Sequence, residues 1–118
     1  NKMFSVEKQN FIQQKAKEHI PEIREKIVWS LHAIKKLRIE SLRKKEVETS
    51  LKECIIIEDY SMVGRPLPGC LVLGFINSTP VHLVIAIDKD FDRIFVITVY
   101  KPSLERWEYD WKTRKKQN

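Results

Sequence analysis

Residues 81–100 read VHLVIAIDKDFDRIFVITVY, and this stretch decides the fold. Two runs rich in β-branched and aromatic residues, Val81–Ile87 and Arg93–Tyr100, flank an aspartate-rich connection, Asp88–Asp92, that is too short for a helix. Such a pattern predicts an antiparallel hairpin. Side chains alternate between faces along a strand, so Leu83, Ile85 and Ile87 share one face while His82, Val84, Ala86 and Asp88 share the other. Pairing the first set with Phe95, Ile97 and Val99 makes one fully aliphatic face, and burial enforces that register. His82 then falls on the opposite face with Thr98 and Tyr100, a polar corner at the edge of an apolar floor.

Two earlier runs, Cys54–Tyr60 and Cys70–Ile76, have the same character and are bounded by turn chemistry, Gly64-Arg65-Pro66 with Pro68-Gly69 and then Asn77–Pro80. Upstream of residue 54 the period is helical. Phe4, Phe11, Ile12, Ala16 and Ile20 predict a helix over Ser5–His19, and Pro21 suits the first turn of a short second helix carrying Ile23, Ile27 and Val28. Ser30 caps a third from Leu31 to about Ile39, and a fourth spans roughly Leu42–Glu53. Helices first and sheet second read as an α+β domain, with N-terminal helices packed on a four-stranded antiparallel sheet.

Length and composition fit one soluble domain: 118 residues, 42% of them hydrophobic. No stretch approaches a membrane span and the start lacks a signal-peptide pattern, so a cytoplasmic protein is expected. Cys54 and Cys70 are too few for a disulfide framework or a four-thiolate metal site. The net charge of +6 is uneven. Residues 1–53 carry 13 basic and 8 acidic groups, residues 54–100 carry 3 and 5, and residues 101–118 carry 6 and 3. Lys35, Lys36, Arg38, Arg43, Lys44 and Lys45 are opposed locally only by Glu40, and Lys112, Arg114, Lys115 and Lys116 add a second cluster. Basic helices and tail around a near-neutral middle point to a polyanion surface, with nucleic acid the first candidate.

Gly64, Gly69 and Gly74 lack phosphate-loop spacing, His19, His32 and His82 are far apart in sequence, and no serine sits in a nucleophile elbow. No metal and no cofactor are implied. Catalysis would be acid–base and electrostatic, which suits RNA because the substrate supplies its own 2′-hydroxyl nucleophile.

Ser30-Leu31-His32-Ala33, a basic residue four positions after the histidine, Glu46-Val47, Ile56–Tyr60, Pro68 with Leu71–Gly74, Val81–Val84 and Ile97–Pro102 occur in that order. The series resembles a small, formally uncharacterised bacterial family with an "HA" helix, an "LG…HVV" strand pair and a "TvY.P" closing strand, matched here over about 30–103. Residues 1–28 then form an N-terminal helical extension and 104–118 a basic aromatic tail in which Trp107, Tyr109 and Trp111 pack their rings. Members are similar to toxins of the RelE and MqsR kind. The resemblance implies the compact toxin ribonuclease fold and a cognate antitoxin of the YgiT (MqsA-like) zinc-finger type. It also implies a type II toxin acting as a metal-independent endoribonuclease. Lys36 stands where the family usually has arginine; it keeps the charge without the bidentate geometry.

Helical spacing puts His32 and Lys36 one turn apart on one side of their helix. The candidate catalytic residues are therefore His32, His82 and Tyr100, with Lys36, Arg38, Arg65 and Thr98 binding substrate. Neutral imidazole near pH 7 suits either acid or base work. Two other readings fit the same charges: a nucleic-acid-binding module without chemistry, and an interaction domain that docks an acidic protein.

Overall fold

A computed structural model describes residues 4–60 and 66–116. Three α-helices and a five-stranded mixed sheet make an α+β fold. Helix α1 is Ser5–Glu18, β1 Ile27–Trp29, α2 Leu31–Ile39 and α3 Lys44–Ser50; a single 3₁₀ turn, Leu51–Glu53, follows α3. Strands β2 (Ile55–Tyr60), β3 (Gly69–Ile76), β4 (Thr79–Asp88) and β5 (Arg93–Tyr100) complete the chain in the order β1-β5-β4-β3-β2. The four expected strands are present and antiparallel.

The expectation of a four-stranded, purely antiparallel sheet is corrected by β1. Where a second short helix was expected after Pro21, the chain turns. Ile20 and Arg24 bridge, and the carbonyl of Ile20 accepts from the amides of Ile23 and Arg24. Ile27-Val28-Trp29 then lies parallel to Ile94-Phe95-Val96. Three consecutive β-branched or aromatic residues fit a pleated edge, and Ile27 is buried there. The expected helix over Leu42–Glu53 is likewise shorter, because Arg43 has extended backbone and the last turn tightens to 3₁₀.

One sheet face and the helices enclose the core. Ile12 and Ala16 of α1, Ala33 and Leu37 of α2, and Val47 of α3 close over Val72, Leu83, Ile85, Ile87, Ile94, Val96 and Val99. Two buried lysines fasten α1 to the sheet. Lys8 bonds the Asp59 carboxylate and, at 3.2 Å, the Gly69 carbonyl, while Lys15 reaches Asp92 at 2.6 Å and Glu18 at 2.8 Å. Gln9 accepts from the Ile56 amide and Gln13 donates to the Cys54 carbonyl, each at 2.8 Å, so α1 also protects the outer edge of β2.

The hairpin register agrees with the parity argument at one end and departs from it at the other. His82 faces Tyr100, Leu83 faces Val99 and Val84 faces Thr98; Ile85 then faces Val96. Ile97 is left over as a bulge, which exchanges the faces of β5. Ile94 and Val96 are buried, and Ile97 is exposed, so the aliphatic set is not Phe95-Ile97-Val99. Ser30 stabilises the bulge. Its hydroxyl donates to the Ile97 carbonyl at 2.9 Å, accepts from the Ala33 amide as the α2 N-cap, and its own amide donates to the Val96 carbonyl.

Candidate functional site

Residues 103–115 fold back over the outer sheet face as a small strap. The Trp107 amide bonds the Ser103 carbonyl, Trp107 bridges Arg114, and Glu108 pairs with Thr113. Asp110 secures the tip by accepting from the amides of Lys112 and Thr113. Arg114 makes a two-point bond to Glu58 on β2 (2.6 and 3.0 Å), and its guanidinium lies 4.6 Å from the Trp107 ring centroid. Trp107 is buried as expected, Trp111 is half-buried, and Tyr109 points into solvent.

His82 lies beneath this strap, 0% exposed. Its ring meets Trp107 edge-on at 4.4 Å and Tyr100 at 5.2 Å. Nε2 is 2.7 Å from the Trp111 carbonyl, which can only accept, so Nε2 carries the proton. Nδ1 is left to accept from the Tyr100 hydroxyl, 3.1 Å away. Burial lowers the His82 pKa, opposed by the Trp111 bond, and burial raises the Tyr100 pKa. Both side chains are therefore neutral at pH 7 and engaged with protein partners.

That state gives His82 a signature in the pH dependence of stability. The unfolded chain protonates this imidazole as pH falls below about 6.5, while the folded chain resists. The contribution is present above that pH and declines as the solution is acidified. Thermal melts of the wild type and His82→Gln between pH 7.5 and 5 check this: the wild type should show the steeper decline, and equal slopes would count against it.

His32 has the opposite setting. It projects from the first turn of α2 into solvent, with Nε2 3.0 Å from the Thr98 hydroxyl on β5. Thr98 and Tyr100 lie on one face of β5, so the structure brings His32, Thr98, Tyr100 and His82 into one continuous series. The His32 end alone is open; the His82 end is roofed. Lys36, half-buried, lies one turn along from His32 and 3.8 Å from Glu40, whose other oxygen accepts from the Lys101 amide. Lys35, Arg38, Arg43, Lys44 and Lys45 are exposed and make no ion pair among the described residues. Arg65 lies outside the described residues.

Sequence reasoning placed Glu58 in a motif and Arg114 in a basic cluster but did not find that the two pair to close the strap over His82, because they lie 56 residues apart. No group of three or more His, Cys, Asp or Glu side chains among the described residues is placed to hold a metal. No helix among them is long and apolar enough to cross a membrane.

Comparison with known families matches residues 29–101 to a domain of unknown function, DUF4258. The matched span contains His32, Lys36, Arg38, His82, Thr98 and Tyr100 but excludes α1 and the strap. No curated protein and no solved structure matches the chain.

Proposed function

The chain belongs to the DUF4258 family, and from that premise we propose that it is an endoribonuclease of the type II toxin class, acting at the exposed end of α2. One observation carries the reading: an accessible imidazole, His32, oriented by Thr98 on a helix whose neighbouring cations Lys35, Lys36 and Arg38 can hold a phosphate. Of the toxin fold that the resemblance implies, the structure shares the α+β class alone, since its sheet is five-stranded and mixed.

In the proposed reaction His32 takes the proton of a ribose 2′-hydroxyl as its oxygen bonds to phosphorus. The phosphorus–5′-oxygen bond breaks, the leaving oxygen takes a proton from water, and a 2′,3′-cyclic phosphate remains. Lys36 and Arg38 offset the charge developing on the phosphoryl oxygens, and no metal is required. His82 and Tyr100 hold the strap and touch no substrate. The partner of such a toxin would be a zinc-finger antitoxin able to cover the α2 cations.

The α2 cations equally favour an RNA-binding module without chemistry, and one experiment separates the two. Single-stranded RNA incubated with the purified chain should yield 3′ ends that carry cyclic phosphate, and induced expression should arrest growth. Binding that falls steeply with salt, without cleavage, would leave only the binding module.

A further inference from the structure

The outer sheet face beside His32 is built as a series of cross-strand pairs: Val84 with Thr98, Ala86 with Phe95, and Asp88 with Arg93. Leu83, Ile85, Ile87, Ile94 and Val99 fill the core, so the residues that alternate with them point outward. The Ile97 bulge keeps Thr98 and Phe95 on that one face. His82 and Tyr100 form the preceding pair, where the strap roofs His82. Beyond it, Val84, Ala86, Thr98, Phe95 and Arg93 are half-buried. The far end is fixed in place. Arg93 Nε donates to the Asp88 carboxylate at 3.0 Å, and its guanidinium lies 4.9 Å from the Phe95 ring centroid and 5.0 Å from that of Phe91, itself 71% exposed.

We propose that Phe95 is a stacking platform for an unpaired base of single-stranded RNA, one nucleotide from the phosphate that His32 engages. The imidazole reaches this face through its 3.0 Å contact with Thr98. The next outward pair lies one step along β4, from Val84 to Ala86, a rise of about 6.6 Å. That step matches the reach of a single nucleotide in an extended strand. RNA whose phosphate lies at His32 therefore lays its neighbouring base against the Phe95 ring and the Arg93 guanidinium, the two kinds of surface on which unpaired bases stack. The platform accepts any base, since every base has a π-face. It rejects a duplex, whose bases already stack on one another. The inference rests on the ribonuclease reading for the place of the phosphate, and its test uses RNA that cannot be cleaved.

The probe is a short 2′-O-methyl RNA, which lacks the nucleophile, with a central 2-aminopurine, a base whose fluorescence falls when it stacks. Binding to the full chain should quench it. Phe95→Leu, which keeps the face apolar, should weaken binding by about tenfold and abolish the quenching, and Phe95→Tyr should retain both. The same strand annealed to its complement should bind at least about tenfold more weakly. Thermal melts establish that each variant is folded. No binding of the probe, binding without quenching, equal binding of the duplex, or unchanged affinity in folded Phe95→Leu overturns the platform. Quenched binding by a chain that leaves ordinary RNA intact upholds the platform and overturns the nuclease alone. Cleavage of ordinary RNA by a chain that does not quench the probe overturns the platform alone.

Discussion

Replacing His32 by alanine should lower the rate of RNA cleavage by about 10²–10⁴-fold, the usual contribution of a positioned acid–base group. The same variant should melt close to the wild type. His32 is exposed, packs into no core, and loses one surface hydrogen bond, to Thr98; such a loss costs no more than about 1 kcal/mol. The two readouts together make the result diagnostic. Single-turnover cleavage measures the chemistry, and a denaturant curve shows whether the fold has changed. Thr98→Val should produce a smaller loss by letting the ring rotate, since it removes the hydroxyl that orients His32 and keeps the shape. Unchanged cleavage by folded His32→Ala would remove the imidazole from the mechanism.

His82→Ala should do the reverse and unfold the chain readily. The substitution empties a site that is 0% exposed and strips the edge contacts to Trp107 and Tyr100. It also deprives the Trp111 carbonyl of its donor and the Tyr100 hydroxyl of its acceptor. Cavity and unpaired polar groups together cost about 3–4 kcal/mol, which for a domain of this size lowers Tm by about 10–15 °C. The damage should begin at the strap, so limited proteolysis near Tyr109 should accelerate before the sheet opens. A His82→Ala protein as stable as the wild type, with its strap still protected, would contradict the packing described for this ring. Loss of toxicity in that variant would report a lost fold, so it cannot by itself identify a catalytic histidine.

These contrasting fates explain what could and could not be read from the sequence. The β4–β5 hairpin and α2 were legible because their signals are local: runs rich in β-branched residues on either side of Asp88–Asp92, and Ser30 followed by a helical period. Strand β1 was not. Ile27-Val28-Trp29 is too short to show a period, and its partner Ile94–Val96 lies far along the chain. The Ile97 bulge was hidden for a related reason, since its stabilising donor, the Ser30 hydroxyl, comes from another element. His32 bonds Thr98 and His82 bonds Tyr100, but the sequence could not distinguish an open imidazole from a covered one. That difference is made by Trp107, Trp111 and Arg114, whose pairing with Glu58 joins distant stretches of the chain.

The parallel pairing of β1 bears on how this protein can be cut down. The family span begins at Trp29, so excising residues 29–101 would discard Ile27 and Val28 and leave Ile94 and Phe95 at the margin of the sheet without their neighbours. The same cut would strip the cover from His82 and from the buried Leu71 and Leu73. A fragment with an open apolar margin and a bare face invites self-association. The autonomous folding unit is therefore longer than the family it contains.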